Sequence, residues 1–220
     1  DKQVDSFLEI TKDISLEEIP IVHFGRSLTL VNHEKLPFCN GIRLGIILYG
    51  FAQNMPDGHS LKSKFRIMKR RFLQKKYHCS ETRLTNSLQL KTAMELYSTV
   101  MSVRKVHIGD VVGYTTYKVK EEGYILTLPI GYADGVTRNF QEVYVKGKFL
   151  PIVADCMDML LVFSPEKIAI GTEVEIFGAH IPISKVCFRI HTNAYHLFNQ
   201  ISHRVVRIHV HGREKEEIFY

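Results

Sequence analysis

The 220-residue sequence lacks several features that mark special classes of protein. No apolar run approaches the roughly 20 residues that cross a bilayer, and the opening Asp1–Asp5 segment is polar, so we expect neither a membrane span nor a signal peptide. Its four cysteines are scattered without a C-x-x-C pair, which disfavours a disulfide framework and fits the cytoplasm. There is no internal repeat and no low-complexity tract. What is left is an ordinary globular chain, 45% hydrophobic and 24% charged.

The positive charge comes from one segment. Eight Lys or Arg residues lie between Lys62 and Lys76 with no acidic residue among them, and without these eight the formal charge of +6 becomes −2. The segment also carries an apolar stripe at helical spacing, from Leu61 to Phe72. A solvated amphipathic helix is the favoured interpretation, and contact with nucleic acid or an anionic membrane is the alternative.

Residues 1–50 alternate between helical and apolar patterns. Residues 3–12 place Val4, Phe7 and Leu8 on one helical face, and the short apolar run from Ile19 to Phe24 is typical of a buried strand. A second helical pattern, Leu28–Leu36, is followed by the apolar run Gly41–Tyr49. Because continuously apolar strands alternate with helices, the pattern predicts parallel strands covered by helices.

The pattern changes after Gly50. Residues 53–60 have the composition of a turn and linker, and from Leu90 onward the chain becomes strand-like. The predicted strands are Ala93–Val106, Val111–Val119, Tyr124–Ile130, Val143–Val153, Met159–Phe163, Val174–Phe177 and Arg204–Val210, with a helical interlude over Ser184–Gln200. Glycine-containing turns separate several of these strands, as in an all-β domain.

Three short segments carry the most information: Arg43–Gly50, Pro129–Gly135 and Cys156–Asp158. Taken singly, each has a structural interpretation. Asp134-Gly135 supplies a tight turn, and Cys156–Asp158 suits a strand end and its turn. An arginine inside an apolar strand is harder to explain structurally, because a buried guanidinium needs acceptors for its five donors.

Together and in this order, the three segments resemble alanine racemases. Further segments that resemble the family are Ile21–Ser27, Leu90–Leu96, Val103–Tyr114, Ile170–Gly178, Asn193–Tyr195 and Ser202–Arg207. The resemblance covers nearly all of the chain apart from the basic segment. It implies an α/β fold, the C-terminal part of a TIM-type (β/α)₈ barrel followed by a mostly β domain. The expected division is barrel elements at 1–52, a linker with the basic insertion at 53–89 and the β domain at 90–220.

The resemblance implies interconversion of L- and D-alanine with pyridoxal 5′-phosphate, which supplies D-alanine to the cell wall. Tyr132 would be one of two proton-transfer groups. An ordinary tyrosine has a pKa of about 10 and needs nearby positive charge or hydrogen bonds to act as a base near neutrality. The residues expected to hold the cofactor phosphate are Ser27, Gly45, Ile46 and Tyr195. Arg43 would face the pyridine nitrogen with His23 orienting it, and Met157 would bind the substrate carboxylate beside Cys156.

Some features depart from the family. Neither Lys91 nor the lysines at 62–76 stand where the family has its cofactor lysine, which belongs to an N-terminal half-barrel that we do not find here. The segment before Cys156 is one residue shorter than usual. We expect a head-to-tail homodimer of the complete enzyme and an inactive 220-residue chain.

Three alternatives stay open. The substrate could be serine instead of alanine, or the chain could be a non-catalytic module that binds an acidic partner through Lys62–Lys76. His209 and His211 alternate on one strand face, but with no third ligand evident we expect no metal site.

Overall fold

A computed structural model describes residues 2–27, 36–50, 91–114, 117–212 and 214–218. The chain divides into two compact units, Asp1–Ala93 and Met94–Tyr220, which we call unit 1 and unit 2. In the described ranges, no helix is both long and apolar enough to cross a membrane.

Unit 1 opens with helix α1, Lys2–Ile10, over most of the predicted residues 3–12. Its apolar face carries Phe7, whose ring stacks on Phe38 at 5.3 Å and meets Phe24 edge-on at 5.4 Å. None of the helix residues is buried. The three aromatic rings therefore supply the packing between α1 and the segments that follow it.

The two strands predicted in unit 1 are largely absent from its described part. Ile19–Phe24 and Gly41–Tyr49 meet in a single parallel bridge between His23 and Gly41. The prediction of a strand as far as Tyr49 is wrong, because residues Ile46–Tyr49 form a 3-10 helix that satisfies its own backbone groups locally. A second 3-10 helix spans Leu16–Glu18.

Several predictions for this half of the chain lie outside the described residues. They concern the helix Leu28–Leu36 apart from its last residue, the linker 53–60 and the basic segment Lys62–Lys76.

Unit 2 is built mainly on strands, as the sequence predicts, and these strands pair antiparallel. The strands are β1 Leu96–Thr99, β2 Ser102–Val106, β3 Val111–Val112, β4 Tyr117–Lys118, β5 Gly123–Leu128, β6 Glu142–Val145, β7 Lys148–Asp155, β8 Leu160–Ser164, β9 Glu173–Phe177, β10 Arg207–His211 and β11 Glu214–Ile218. Seven of them form one sheet in the order β1-β9-β6-β7-β8-β5-β2. The pairs β3–β4 and β10–β11 form separate two-stranded sheets.

The long strand β7 joins the two halves of the seven-stranded sheet. Its first half pairs with β6 and its second half with β8, with an irregularity between Ile152 and Ala154. The interior strands β5 and β8 bury most of their residues, and Leu126, Leu128 and Leu160 are fully buried. Burial on this scale is the main source of stability for a β domain.

Two helices follow β9, where the sequence predicts one helical interlude. They are α2, Ile183–Arg189, and α3, Ala194–Gln200. The helical conformation is interrupted between them at His191, which has a positive φ of 53°. The side chain of Asn193 then caps α3 by accepting a hydrogen bond from the backbone N–H of His196 at 3.0 Å.

Candidate active site

The predicted site residues fall into two groups, one in each unit. In unit 1, the backbone bridge between His23 and Gly41 is reinforced by Asn40, whose Oδ1 accepts from Val22 N at 2.6 Å. The backbone N–H of Gly41 also donates to Val22 O at 2.9 Å. The loops that follow these two segments therefore start side by side.

Those loops bring Ser27 and Gly45 into contact. Ser27 is buried, with 6% of its surface exposed, and its Oγ accepts the backbone N–H of Gly45 at 2.9 Å. A hydroxyl that accepts this bond still has its own hydrogen to donate. Ile46, the next residue along, is also buried and begins the 3-10 helix. Three of the four predicted phosphate-binding residues are thus gathered in one place.

Arg43 lies on the same loop, but its environment differs from the expectation of a buried guanidinium. The side chain is exposed, and its Nε and Nη2 donate to the carbonyl of Gly25 at 3.2 and 3.0 Å. The role expected for His23, which is itself exposed, stays a prediction. Because Gly25 has a φ of +78°, a glycine suits the turn that presents this carbonyl.

Unit 1 also contains an open cleft of about 600 Å³ beside Arg43. Gly25 and Phe24 line one part of it, and residues of α1, including Lys2 and Phe7, line another. Arg43 therefore lies at an open cleft within unit 1.

In unit 2, Tyr132 lies on a short 3-10 helix, Tyr132–Asp134, just after β5. Gly135 ends the turn with a φ of +89°, as the Asp-Gly pair predicts. The Tyr132 side chain is 52% exposed although the turn around it is tightly held. Tyr132 thus combines a fixed backbone with an exposed residue surface.

The Cys156–Asp158 segment lies directly against this turn. The carbonyl of Cys156 accepts from Tyr132 N at 3.1 Å, and the carbonyl of Met157 accepts from Ala133 N at 2.9 Å. A Cβ on Gly131 would lie 2.3 Å from the Cys156 carbonyl oxygen, so glycine is required for the approach. The segment that is one residue short thus still reaches Tyr132.

The side chains of this paired turn differ in character. Met157 is 55% exposed, beside the exposed Tyr132. Burial raises the pKa of the Cys156 thiol, and the neighbouring carboxylates of Asp155 and Asp158 raise it further. Cys156 is therefore held as a neutral thiol near neutral pH, which argues against a nucleophilic role.

Tyr195 stands at the second position of α3 with 38% of its surface exposed. Two contacts fix the start of this helix: the Asn193 cap and a contact of 3.0 Å between Thr192 Oγ1 and His196 Nδ1. At the far end, Gly135 lies so close to Gln200 that a Cβ would come within 2.4 Å of its carbonyl oxygen. The Tyr132 turn and the Tyr195 helix are therefore neighbours within unit 2.

The sequence does not reveal the part that two acidic residues, Asp155 and Asp134, play in these turns. Arg138 follows the Tyr132 turn, and its backbone N–H donates to Asp155 Oδ2 at 3.2 Å, next to Cys156. The Asp-Gly pair predicts only a turn-forming role for Asp134, yet the residue is 3% exposed. The signal available in the sequence was an acidic residue two positions after the tyrosine, but nothing in the sequence shows that it is buried.

His209 and His211 lie on β10, where their strand partners are Glu216 and Glu214. In the part of the chain that the structure describes, no group of three or more His, Cys, Asp or Glu side chains is arranged to hold a metal ion.

Comparisons with known proteins agree with the resemblance. The family model for the C-terminal domain of alanine racemase matches residues 93–209. Alanine racemase from Streptococcus equi subsp. equi is 35% identical over 182 residues, 81% of this chain and 42% of the relative. That from Anoxybacillus flavithermus is 30% identical over 224 residues, 98% of this chain and 51% of the relative. The chain thus spans about half the length of the curated relatives it matches.

Solved structures show the same likeness. Alanine racemase of Clostridium difficile 630 in complex with cycloserine has a TM-score of 0.77 and 26% identity, covering 99% of this chain and 54% of that one. Alanine racemase from Bacillus anthracis with bound L-Ala-P has a TM-score of 0.75 and 29% identity, covering 100% of this chain and 53% of that one.

Proposed function

The chain belongs to the alanine racemase family, and we propose that it is the C-terminal portion of an enzyme that interconverts L- and D-alanine with pyridoxal 5′-phosphate. The observation that carries the proposal is the paired turn. Two backbone hydrogen bonds lock the segment bearing Tyr132 to the segment bearing Cys156 and Met157. A racemase needs an accessible proton-transfer group beside a site for the substrate carboxylate, and these two segments supply both.

The residues of unit 1 fit the cofactor by the chemistry of their donors. A phosphate group needs several hydrogen-bond donors, and the Ser27 hydroxyl can supply one beside the backbone of Ile46. The Gly45 N–H donates to Ser27 Oγ, so it would have to exchange that partner to serve the phosphate. The role expected for Tyr195, a second phosphate-binding hydroxyl, stays a prediction of the family resemblance. Two of the five guanidinium donors of Arg43 hold Gly25, and the rest can serve a ring nitrogen.

Arg43 would set the character of the cofactor ring. A guanidinium only donates hydrogen bonds and stays charged, so it favours an unprotonated ring nitrogen. When bound, the cofactor withdraws electrons from the substrate α-carbon and stabilises the carbanion. With an unprotonated nitrogen this withdrawal is limited, which should suppress competing reactions.

Tyr132 would hold or deliver the proton on one face of the α-carbon. Its backbone is fixed by the paired turn and its phenol is accessible. Met157 would direct its backbone N–H to the substrate carboxylate, with Cys156 alongside as a neutral, unreactive thiol. The group on the opposite face would be the lysine that binds the cofactor, which we do not find in these 220 residues.

The remaining parts of the proposal follow the family. Residues 1–52 would belong to a TIM-type barrel, 53–89 to a linker and 90–220 to the β domain. The complete enzyme would be a homodimer in the cytoplasm that supplies D-alanine for the cell wall. Alanine is the proposed substrate, with serine as the alternative.

The test uses the complete gene product that contains this chain, purified with pyridoxal phosphate. We expect bound cofactor, detected by its visible absorbance, and formation of D-alanine from L-alanine. Tyr132→Phe should lower the rate at least about 100-fold, because general acid–base groups contribute that much, while cofactor binding is retained. Tyr114→Phe, a change at an exposed tyrosine elsewhere in unit 2, should leave the rate unchanged.

Two outcomes would contradict the proposal. If the gene product binds no cofactor, the likeness extends only to the fold, and the binding module with its Lys62–Lys76 segment becomes the better hypothesis. If cofactor binds but serine is racemised faster than alanine, the substrate assignment fails while the chemistry stands.

A further inference from the structure

Asp134 is a buried carboxylate in the turn that carries Tyr132. It is 3% exposed, and an unpartnered carboxylate at that depth would be strongly destabilising. Its partners are on both sides of the turn. Oδ2 accepts the backbone N–H of Gly131 at 3.0 Å, and Oδ1 lies 3.5 Å from Arg204 Nε.

The hydrogen bond between Asp134 and Gly131 spans the backbone of Tyr132. Because Gly131 and Asp134 flank Tyr132 in the sequence, a bond between them fixes the backbone on which the phenol stands. The N–H of Tyr132 itself is bound to the Cys156 carbonyl. The tyrosine backbone can therefore rotate only if one of these bonds breaks.

The other side of Asp134 is tied to the segment after α3. Ser202 N donates to the Asp134 carbonyl at 3.3 Å, and the Arg204 side chain reaches the carboxylate. Arg204 N in turn bonds to Ser202 Oγ at 3.2 Å. One short segment thus holds both the main chain and the side chain of Asp134. Since α3 carries Tyr195, Asp134 links the turn that carries one predicted site tyrosine, Tyr132, to the segment that follows the helix of the other.

We propose that Asp134 is a positioning residue for Tyr132, with Arg204 as its supporting partner. The inference rests on the proposed function, since it gives Asp134 a catalytic consequence only if Tyr132 transfers protons. The backbone N–H is the stronger contact, because Arg204 is 61% exposed and water weakens its attraction to the carboxylate. Removal of the carboxylate should therefore cost more activity than removal of the arginine.

The test measures kcat and KM of the complete, cofactor-loaded gene product. Asp134→Ala should lower kcat at least about tenfold with little change in KM, because misplacement of a reacting group by about 1 Å can cost 100-fold. Asp134→Asn should restore kcat to within about threefold, since its amide oxygen can accept the same N–H. Arg204→Met should lower kcat only about two- to threefold.

A matched control is Asp110. Its Oδ2 accepts the backbone N–H of His107 at 3.0 Å, three residues earlier, as Asp134 does with Gly131. Asp110→Ala removes the same kind of contact from a turn without a site tyrosine. We expect its kcat to equal that of the unmodified protein.

The decisive readout is a double-mutant cycle with Tyr132→Phe. If Asp134 acts through Tyr132, adding Asp134→Ala to Tyr132→Phe should cause no further loss of kcat. An equal loss in both backgrounds would overturn the inference, as would an unchanged kcat in Asp134→Ala. If Asp134→Ala does not fold, the same cycle with Arg204→Met decides in the same way. Failure of the proposed function looks different: the unmodified gene product would then bind no cofactor and show no racemisation, or Tyr132→Phe alone would retain full activity.

Discussion

The two groups of site residues differ in how well the elements that carry them are packed. In unit 1, Ser27, Gly45 and Arg43 lie on loops next to a single bridge, and helix α1 buries none of its residues. In unit 2, the Tyr132 turn follows β5, an interior strand of a seven-stranded sheet, and α2 and α3 each bury three residues. Packing, more than intrinsic propensity, stabilises a helix in a protein. Unit 2 therefore has its own source of rigidity, whereas the described part of unit 1 has little.

The largest expected difference between the units is in core substitutions. Phe177 on β9 is fully buried, so Phe177→Ala should cost about 3–5 kcal/mol in free energy of unfolding. Phe7→Ala on α1, which is only half-buried, should cost less than about 1.5 kcal/mol. Urea unfolding followed by circular dichroism measures both. Equal costs would show that unit 1 is as well packed as unit 2.

The close approach at the Tyr132 turn gives the next largest effect. Gly131→Ala puts a methyl group 2.3 Å from the Cys156 carbonyl oxygen, so it should cost about 1–3 kcal/mol by overpacking and should separate the paired turns. Gly147→Ala is the control, since its Cβ meets nothing within 4 Å and only the positive φ of 82° is strained. If the two variants unfold at the same urea concentration, the backbone contact is not as close as described.

The phosphate site of unit 1 is tested by Ser27→Ala. The change removes the hydroxyl that accepts Gly45 N and would donate to the phosphate, so cofactor affinity should fall roughly tenfold, the cost of one lost hydrogen bond. Cofactor titration of the complete gene product measures it, with Ser102→Ala on β2 as the control. An unchanged affinity would remove Ser27 from the site without touching the assignment of Tyr132.

The smallest expected effect is a pH dependence that belongs to unit 2. Burial opposes ionisation of Glu175, but hydrogen bonds from the His180 side chain and from the backbone of Ile181 and His180 outweigh it, so its pKa is lowered. The unfolded chain then binds this proton more readily than the folded chain. The resulting stability is present above an ordinary glutamate pKa of about 4.3 and is lost as the pH falls toward the lowered value.

Glu175→Gln should flatten this dependence. The midpoint of urea unfolding, measured from pH ~7 down to pH ~3 around the ordinary glutamate pKa, should fall less steeply in the variant than in the unmodified protein. Glu166→Gln is the control, because Glu166 is exposed and pairs with Lys148 at the surface. Parallel curves for Glu175→Gln and the unmodified protein would show that Glu175 does not cause the loss of stability at low pH.

Most of the unit 2 strands could be predicted because local pattern and final structure agree there. Residues Gly123–Leu128 are a mostly apolar run and Glu173–Phe177 has apolar residues at Val174, Ile176 and Phe177, and both become largely buried strands. Strand β11 is not predicted because all four residues of Glu214–Glu217 are charged and show no apolar alternation; the strand forms by pairing with β10. The strand expected through Gly41–Tyr49 fails because an apolar run suits a 3-10 helix as well as a strand.

In the site too, individual residues could be predicted from the sequence, but their long-range contacts could not. The sequence identifies Tyr132 and Met157 separately through the family resemblance, but their contact depends on the fold that brings residues 131–135 to residues 156–157. The burial of Asp134 depends on the segment Ser202–Arg204, about 70 residues away in the chain. No periodicity encodes such pairings, because they form between segments that are distant in the sequence.

The most direct test of the account is exchange of the alanine α-proton in deuterated water by the complete, cofactor-loaded Tyr132→Phe protein. If Tyr132 serves one face of the α-carbon, exchange from one enantiomer should fall at least about 100-fold, while exchange from the other continues and racemisation is lost. Equal exchange rates from L- and D-alanine in the variant, whether both high or both low, would contradict the assignment of Tyr132 to one of two proton-transfer positions.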